Sequence, residues 1–410
     1  MKGRDARAVS LTLAVLLSMP LAPWVVPRAC AAPSAHWVGT WGAAPDSAGP
    51  VLSDQSVREI VRISIGGSKV RLRLSNLFGL EAVEIGPVHI AQHMKGSSIR
   101  HGTDRSVSFA GHARVSIPAG ASVLSDATDL EVAPLAELAV SLFVPPTASP
   151  ATQHSLGMQT AYLTEHGDAT AAERFPDEDV ISARPFLTDV EVLAAPAAWS
   201  IVTFGDSITD AAASTPDMNR RWPDRLAERL QADPKLATVG VINEGITGNR
   251  ILKDKMGPSA LNRLERDAIE KAGVRWMILL EGVNDFGYVG AHPAPGEDVS
   301  AAALIDGMRT LVRNAHAHGI KIIGGTLTPF GQFDWPYHTL AAEMKRQAVN
   351  RWIRTGGEFD AVADFDAAVR DPAHPDRLRA DYDGDHIHPN DAGCAALARA
   401  VELTALARSP

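Results

Sequence analysis

From about residue 198 to the C-terminus, short apolar runs of strand type alternate with longer stretches of helical period, and this alternation constrains the fold more than any other feature. The strand-like runs cover 201–204, 239–243, 276–280, 320–325 and 361–364; the helical stretches cover 221–231, 259–271, 301–318, 339–355 and 391–406. Strands separated by helix-length crossovers pair in parallel, so the pattern predicts a parallel sheet covered by helices. In such sheets, active groups gather beyond the carboxyl ends of the strands.

Between residues 37 and about 186 the texture is different. Segments 58–65 and 69–75 alternate polar and apolar residues, and Gly66-Gly67 between them reads as a hairpin turn. Segments 83–91, 114–117, 129–132 and 138–144 continue the series, separated by Gly, Pro, Asn and Asp, and nothing here has the pattern of a helix of ordinary length. Many short strands predict an all-β sandwich, with a jelly roll among the candidate topologies. Segment 183–200, rich in proline and alanine near its end, reads as the passage between the two textures. The expected organisation is an accessory β domain over 32–186, a linker over 187–197 and an α/β domain over 198–410, and 410 residues suffice for two domains.

Lys2, Arg4 and Arg7 precede an apolar run over 9–19, and Ala29-Cys30-Ala31 offers a small-x-small cleavage site, so 1–31 is expected to be a secretory signal peptide. Pro20, Pro23 and Pro27 break the hydrophobic stretch and argue against a permanent span. The expected destination is periplasmic or extracellular. Cleavage would leave Cys394 as the sole cysteine, so the mature chain would form no internal disulfide. Residues 1–31 carry four basic side chains against Asp5, a net +3, so their removal takes the formal charge from −9 to −12. An acidic chain without a basic tract is a poor fit to nucleic acid, and stable membrane insertion is not expected either.

The unusual residues fall at the ends of the C-terminal strand-like runs. Gly205-Asp206-Ser207-Ile208-Thr209-Asp210 lies where a strand should end and a helix begin. A serine there can present its hydroxyl above the sheet beside helix N–H groups, although an ordinary Asp/Ser helix cap explains the hexapeptide equally well. Asn243-Glu244-Gly245-Ile246-Thr247-Gly248-Asn249 follows the second run, and Glu281-Gly282-Val283-Asn284-Asp285 follows the third; both are also ordinary turn chemistry. Near the C-terminus, Asp385-His386-Ile387-His388-Pro389-Asn390 opens the last helical stretch. Asp385 and His388 stand three apart, close enough for a carboxylate to orient an imidazole. A capping role for Asn390 explains part of that segment but not its two histidines.

Together these pieces resemble the SGNH hydrolases, also called the GDSL family of esterases and lipases. The resemblance rests on Gly-Asp-Ser at 205–207, Gly248, Gly-Val-Asn-Asp at 282–285 and Asp-x-x-His-Pro at 385–389, and it spans 196–407, about half the chain. Ile208 stands where the family name has leucine. The resemblance implies a flavodoxin-like three-layer α/β/α domain and a serine hydrolase. Ser207 would be the nucleophile, His388 the base and Asp385 its orienting partner, while the N–H groups of Ser207 and Gly248 and the Asn284 amide would bind the oxyanion. No metal or organic cofactor is implied. Trp37-Val-Gly-Thr-Trp41 and the run over 70–79 resemble the leader domain of a bacterial secreted subgroup.

Asp383 and His386 repeat the Asp385–His388 spacing; Pro389 after His388 favours the second pair and leaves His386 as a neighbour of the site. Asp381, Asp383 and Asp385 alternate like the start of an EF-hand, but His386 and Ala392 occupy its glycine and glutamate positions, so calcium is not expected. No Gly-x-Ser-x-Gly elbow is present. Phe330, Phe333, Trp335 and Tyr337 could wall a pocket or simply pack under a loop, and Cys394 reads as a small core residue. The expected function is a secreted esterase for short- to medium-chain acyl esters, with O-acetyl groups on a polysaccharide or glycoside as the favoured target. The alternatives are a lipase or thioesterase for longer chains, and an inactive carbohydrate-binding protein.

Overall fold

All seven residues of the Trp199–Gly205 strand are buried, as a strand covered on both faces must be. The computed structural model describes residues 34–176, 179–333 and 336–407; the expected signal peptide over 1–31, and Trp335, lie outside the described residues. Trp199–Gly205 is flanked by Val239–Gly245 on one side and Val274–Leu280 on the other, followed outward by Lys321–Gly325 and Ala361–Ala363, all parallel. In chain order the five strands lie 2-1-3-4-5, the order of the flavodoxin-like doubly wound sheet.

The helices are α1 (Ser207–Asp210), α2 (Trp222–Ala232), α3 (Ala260–Leu264), α4 (Val283–Ala291), α5 (Ala301–Ala317), α6 (Leu340–Thr355), α7 (Phe365–Val369), α8 (Asp391–Ala400) and α9 (Leu403–Ala407). Trp222, Leu226 and Leu230, at i, i+4 and i+8, bury one stripe of α2. Right-handed crossovers put α2 and α8 on one face and α3, α5 and α6 on the other. The helix contacts agree: α8 packs on α2 and α7, while α5 packs on α3 and α6. The helix expected over 259–271 is α3 running into a π-helical turn, Glu265–Ile269, and the stretch over 391–406 breaks at Val401. Residues after Gly282, read as turn chemistry, instead begin α4. Cys394 is fully buried in α8, as expected.

Before Ser207 the described residues contain strands and no helix. One antiparallel sheet holds His36–Gly42, Leu187–Ala194, Val70–Ser75 and Ser122–Leu124 in that order. A larger one is built around Gln55–Arg62, Glu137–Val144 and Val88–Lys95. Val70, Leu72, Leu74, Val190 and Val192 of the first sheet and Val57, Val61, Leu138, Val140 and Leu142 of the second share one core, consistent with a sandwich.

Three expectations need correction here. Segments 58–65 and 69–75 do not form a hairpin: Gln55–Arg62 pairs with Glu137–Val144 and Ala161–Leu163, whereas Val70–Ser75 pairs with Leu187–Ala194 and Ser122–Leu124. Gly66-Gly67 carries the chain between sheets, because alternation fixes which face is buried and not which strand lies alongside. Nor is 187–197 a linker. Leu187–Ala194 is a central strand between Val70–Ser75 and His36–Gly42, with Val190 and Val192 fully buried. Segment 129–132 forms no strand; Thr128 and Val132 make only isolated bridges to Val70 and Gly67.

The β-rich region adheres to the α/β region through polar groups that local sequence does not advertise. The Gly39 N–H donates to the Ala272 carbonyl at 2.8 Å, and the Val241 N–H donates to the Ser64 hydroxyl at 2.8 Å. Buried Lys271 donates to Asp189 at 2.6 Å and lies 2.9 Å from Glu244, and these carboxylates hold its ammonium pKa above the usual range against the effect of burial. Among the described residues, no helix is long and apolar enough to cross a membrane.

Candidate active site

The switch point of a 2-1-3-4-5 sheet lies between its first and third strands, and the chain places Ser207 just past the end of the first and Asn284 just past the end of the third. Gly205 ends the first strand where no side chain fits: an added Cβ would lie 2.2 Å from the Leu280 carbonyl oxygen. Asp206 then caps α1, its carboxylate accepting from the Ile208 N–H at 2.9 Å. Burial pushes the Asp206 carboxyl up to about 7, although the Ile208 N–H and the charge of His388 oppose it. Ser207 follows as the first residue of α1, 3% exposed.

A loop ahead of α8 brings the partner groups. The Asn390 side chain accepts from the N–H groups of Ala392 and Gly393, fixing the start of α8. Upstream, the His388 ring lies between Asp385, with Nδ1 2.7 Å from Oδ2, and Ser207, with Nε2 2.8 Å from Oγ. Nδ1 faces an acceptor-only carboxylate and so carries the proton; Nε2 is then the acceptor for the serine hydroxyl. The Asp385 Oδ1 accepts from the His388 N–H at 2.8 Å. Burial raises the Asp385 carboxyl, but hydrogen bonds from the His388 ring and backbone, with its charge, outweigh this and bring it down to about 2. The carboxylate therefore stays ionised wherever the imidazole is the base.

The competing pair is built in the same way. His386 Nδ1 lies 2.7 Å from Asp383 Oδ2, but its side chain is 57% exposed and it is His388 that meets Ser207. Asp383 and His386 instead line a cavity of about 340 Å³ together with Gln332, Asp371, His374 and Arg377. Asp381 pairs with Arg379 at 2.8 Å, so the three alternating aspartates each face a different partner, Arg379, His386 and His388.

Gly248 sits in the turn after Val239–Gly245 at φ +75°, where an added Cβ would also meet the Met256 side chain at 2.9 Å. Asn284, in the first turn of α4, has its amide orientation fixed from both ends. The Tyr337 hydroxyl donates to Oδ1, and Nδ2 donates to the Asn249 carbonyl at 2.8 Å, an oxygen that can only accept. One proton of that amide remains for another acceptor. Tyr337 was a pocket-wall candidate in the sequence; here it also orients Asn284, and Phe330 and Phe333 pack edge-on against its ring.

Of the groups behind the site, only Asp285 carries a signal in the sequence. Arg263, an ordinary-looking charge on a helical stretch, is fully buried over the Phe204 ring at 3.9 Å. It donates to the Gly205 carbonyl at 2.8 Å, the Glu244 carbonyl at 2.8 Å and Asn249 Oδ1 at 2.9 Å, tying together the ends of the first two strands and the Gly248 turn. Asp267 and Glu281 each stand 3.4 Å from it; burial lifts the Glu281 carboxyl to about 8, while neighbouring cations hold Asp267 below the usual range despite burial. Asp285 accepts from the N–H groups of Ile251 and Leu252 at 2.9 and 3.2 Å, joining α4 to the chain just past Gly248. The Asn-Asp dipeptide marked this position, but its second residue acts as a brace.

Residues 203–396 match the GDSL-like Lipase/Acylhydrolase family. Among solved structures, a mutant of an acetyl-xylooligosaccharide esterase from Geobacillus Stearmophilus is 22% identical with a TM-score of 0.37, covering 49% of this chain and 91% of its own. A GDSL-like lipase from Bacteroides thetaiotaomicron is 18% identical with a TM-score of 0.37, covering 50% of this chain and 87% of its own. An alpha/beta hydrolase from the metagenome of Lake Arreo, Spain, is 19% identical with a TM-score of 0.39, covering 52% and 97%. A search of curated proteins finds no match.

Proposed function

We propose, from the premise that residues 203–396 are a GDSL-like lipase/acylhydrolase domain, that this chain is a serine esterase with Ser207 as nucleophile. The observation that carries the reading is the hydrogen-bonded series Ser207 Oγ, His388 Nε2, His388 Nδ1 and Asp385 Oδ2, with links of 2.8 and 2.7 Å. His388 accepts the hydroxyl proton as Oγ bonds to the ester carbonyl carbon. Negative charge then develops on the carbonyl oxygen, and the N–H groups of Ser207 and Gly248 and the free proton of the Asn284 amide stabilise it. The imidazolium returns the proton to the leaving alkoxide, the C–O bond breaks and an acyl-Ser207 ester remains. Water repeats the sequence with His388 as base, releasing the carboxylic acid and restoring the serine.

The proposed substrates are short- to medium-chain acyl esters of polar alcohols, with O-acetylated carbohydrate first among them, met outside the cell after export. The test is hydrolysis of a p-nitrophenyl ester series from acetyl to dodecanoyl, with acetate release from an acetylated oligosaccharide alongside. Acetyl to butyryl esters should give the highest kcat/KM, and acetate should be released. A dodecanoyl ester cleaved about tenfold faster than the acetyl ester would sink the deacetylase reading in favour of a long-chain lipase. Absence of turnover across the series and on the oligosaccharide would count against an enzyme.

A further inference from the structure

We propose that His154 of the β-rich region is a positioning residue for this reaction: as an imidazolium it clamps Asp210, and through Asp210 and Thr247 it holds together the two turns that carry Ser207 and Gly248. The inference rests on the reading of Ser207 as nucleophile and Gly248 as an oxyanion donor.

His154 ends the short strand Thr152–His154, which pairs with Ser47–Ala48 and Arg184–Pro185. It is 4% exposed. Its Nδ1 lies 2.9 Å from the Ala44 carbonyl oxygen and 3.7 Å from Asp46 Oδ2. Its Nε2 lies 2.9 Å from the Leu156 carbonyl oxygen and 3.2 Å from Asp210 Oδ1. All four partners can only accept when the carboxylates are ionised. A neutral ring would set one nitrogen lone pair against a carbonyl oxygen in a buried place, so both nitrogens carry protons and the ring is a cation.

Asp210 is the last residue of α1, one helical turn beyond Ser207, and is itself buried. Its Oδ2 accepts from the Thr247 hydroxyl at 3.2 Å, and Thr247 is the residue before Gly248. The Asn243 side chain donates to the Thr209 carbonyl at 3.3 Å, a second and weaker tie between the same turns. The cation that neutralises Asp210 thus comes from the other region of the chain, 56 residues upstream.

The charges around the ring come from every element packed on it. Asp46 follows the His36–Gly42 strand, Glu59 lies on Gln55–Arg62, Arg184 on the neighbouring short strand, Asp210 on α1, and Arg221 at the start of α2. Asp46 is held by the Ser155 N–H at 2.7 Å and the Ser155 hydroxyl at 2.8 Å. Burial raises Glu59 to about 8, so it is largely neutral near pH 7. Burial alone would lower the His154 pKa; Asp210, Asp46 and the Ala44 carbonyl more than reverse that, up to about 9. The sign follows: a histidine raised on folding contributes fully below its unfolded value of about 6.5, and the contribution is lost as pH rises through about 9.

The experiment compares kcat, KM and their pH profiles for the full chain, His154→Gln, Thr247→Val and Ser207→Ala on p-nitrophenyl acetate. His154→Gln should lower kcat about 10- to 100-fold with KM within about twofold, because the turns lose their register while the pocket remains. The parent chain should lose kcat above about pH 9, and that alkaline limb should be absent from His154→Gln. Thr247→Val, which leaves the His154–Asp210 pair intact, should lower kcat several-fold and keep the limb; it decides the matter if His154→Gln does not fold. A His154→Gln protein whose melting temperature falls while kcat and its alkaline limb match the parent would overturn the proposal, as would a Thr247→Val protein with parental kcat. Turnover surviving in Ser207→Ala would instead overturn the underlying reading of the site.

Discussion

Ser207→Ala is expected to lower kcat for p-nitrophenyl acetate by at least about 10⁴-fold and to shift the melting temperature by no more than about 4 °C. The first number follows from covalent catalysis: without Oγ there is no acyl-enzyme, and what remains is the stabilisation that the oxyanion donors give to attack by water. The second follows from the structure. The hydroxyl ends one hydrogen bond with His388, while α1 is capped by Asp206 and braced by Asp210, neither of which the substitution touches. A side chain that costs the reaction so much and the fold so little is the signature of a nucleophile. Stopped assays with circular dichroism and thermal melts on the same preparations read both quantities.

Asn284→Ala should cost about 10²- to 10³-fold in kcat, with KM within about twofold, the penalty expected for removing one preorganised oxyanion donor. The amide is held at both ends by the fold. Tyr337 and the Asn249 carbonyl hold opposite ends of the amide, Asn249 is in turn held by Arg263, and Asp285 anchors the following segment. The amide is therefore in place before substrate arrives and need not reorganise as charge develops. Tyr337→Phe keeps the amide but releases one end of it, so its loss should be only about fivefold, the value of one ordinary hydrogen bond. Steady-state kinetics on both variants check the ranking. If Tyr337→Phe were worse than Asn284→Ala, the amide would not be the donor.

Much of this site is legible in the chain because its chemistry is local. Gly205 through Asp210 is a strand end, a cap and a short helix in six consecutive residues, and Asp385 to His388 closes its own carboxylate–imidazole pair within one turn. The parallel sheet is legible for a similar reason: strands buried on both faces read as continuous apolar runs. What local pattern leaves out is partnership between distant segments. Strands Gln55–Arg62 and Val70–Ser75 alternate as hairpin partners would, yet belong to different sheets. Leu187–Ala194 sits in a proline- and alanine-bordered stretch that suggests a linker, yet it is the strand between two others.

Arg263 makes the same point energetically. A charged residue in a helical stretch ordinarily faces water, and only the convergence of two strand-end carbonyls, Asn249, Asp267 and Glu281 makes its burial tolerable. His154 is likewise silent in the sequence, because its meaning depends on Asp210, in a segment of different texture. The residues proposed to perform the chemistry are therefore easier to read than those that hold them in place. In this chain the second group reaches into the β-rich region.

The central claim is that turnover passes through an ester on Ser207, and trapping that ester tests it most directly. The protein would be incubated with a fluorophosphonate, its intact mass measured and the modified peptide sequenced, with Ser207→Ala and His388→Ala beside it. The account predicts one adduct per chain, located on Ser207, absent from Ser207→Ala and formed much more slowly in His388→Ala. No adduct on the active protein, or inactivation through an adduct on another residue with activity retained in Ser207→Ala, would contradict it.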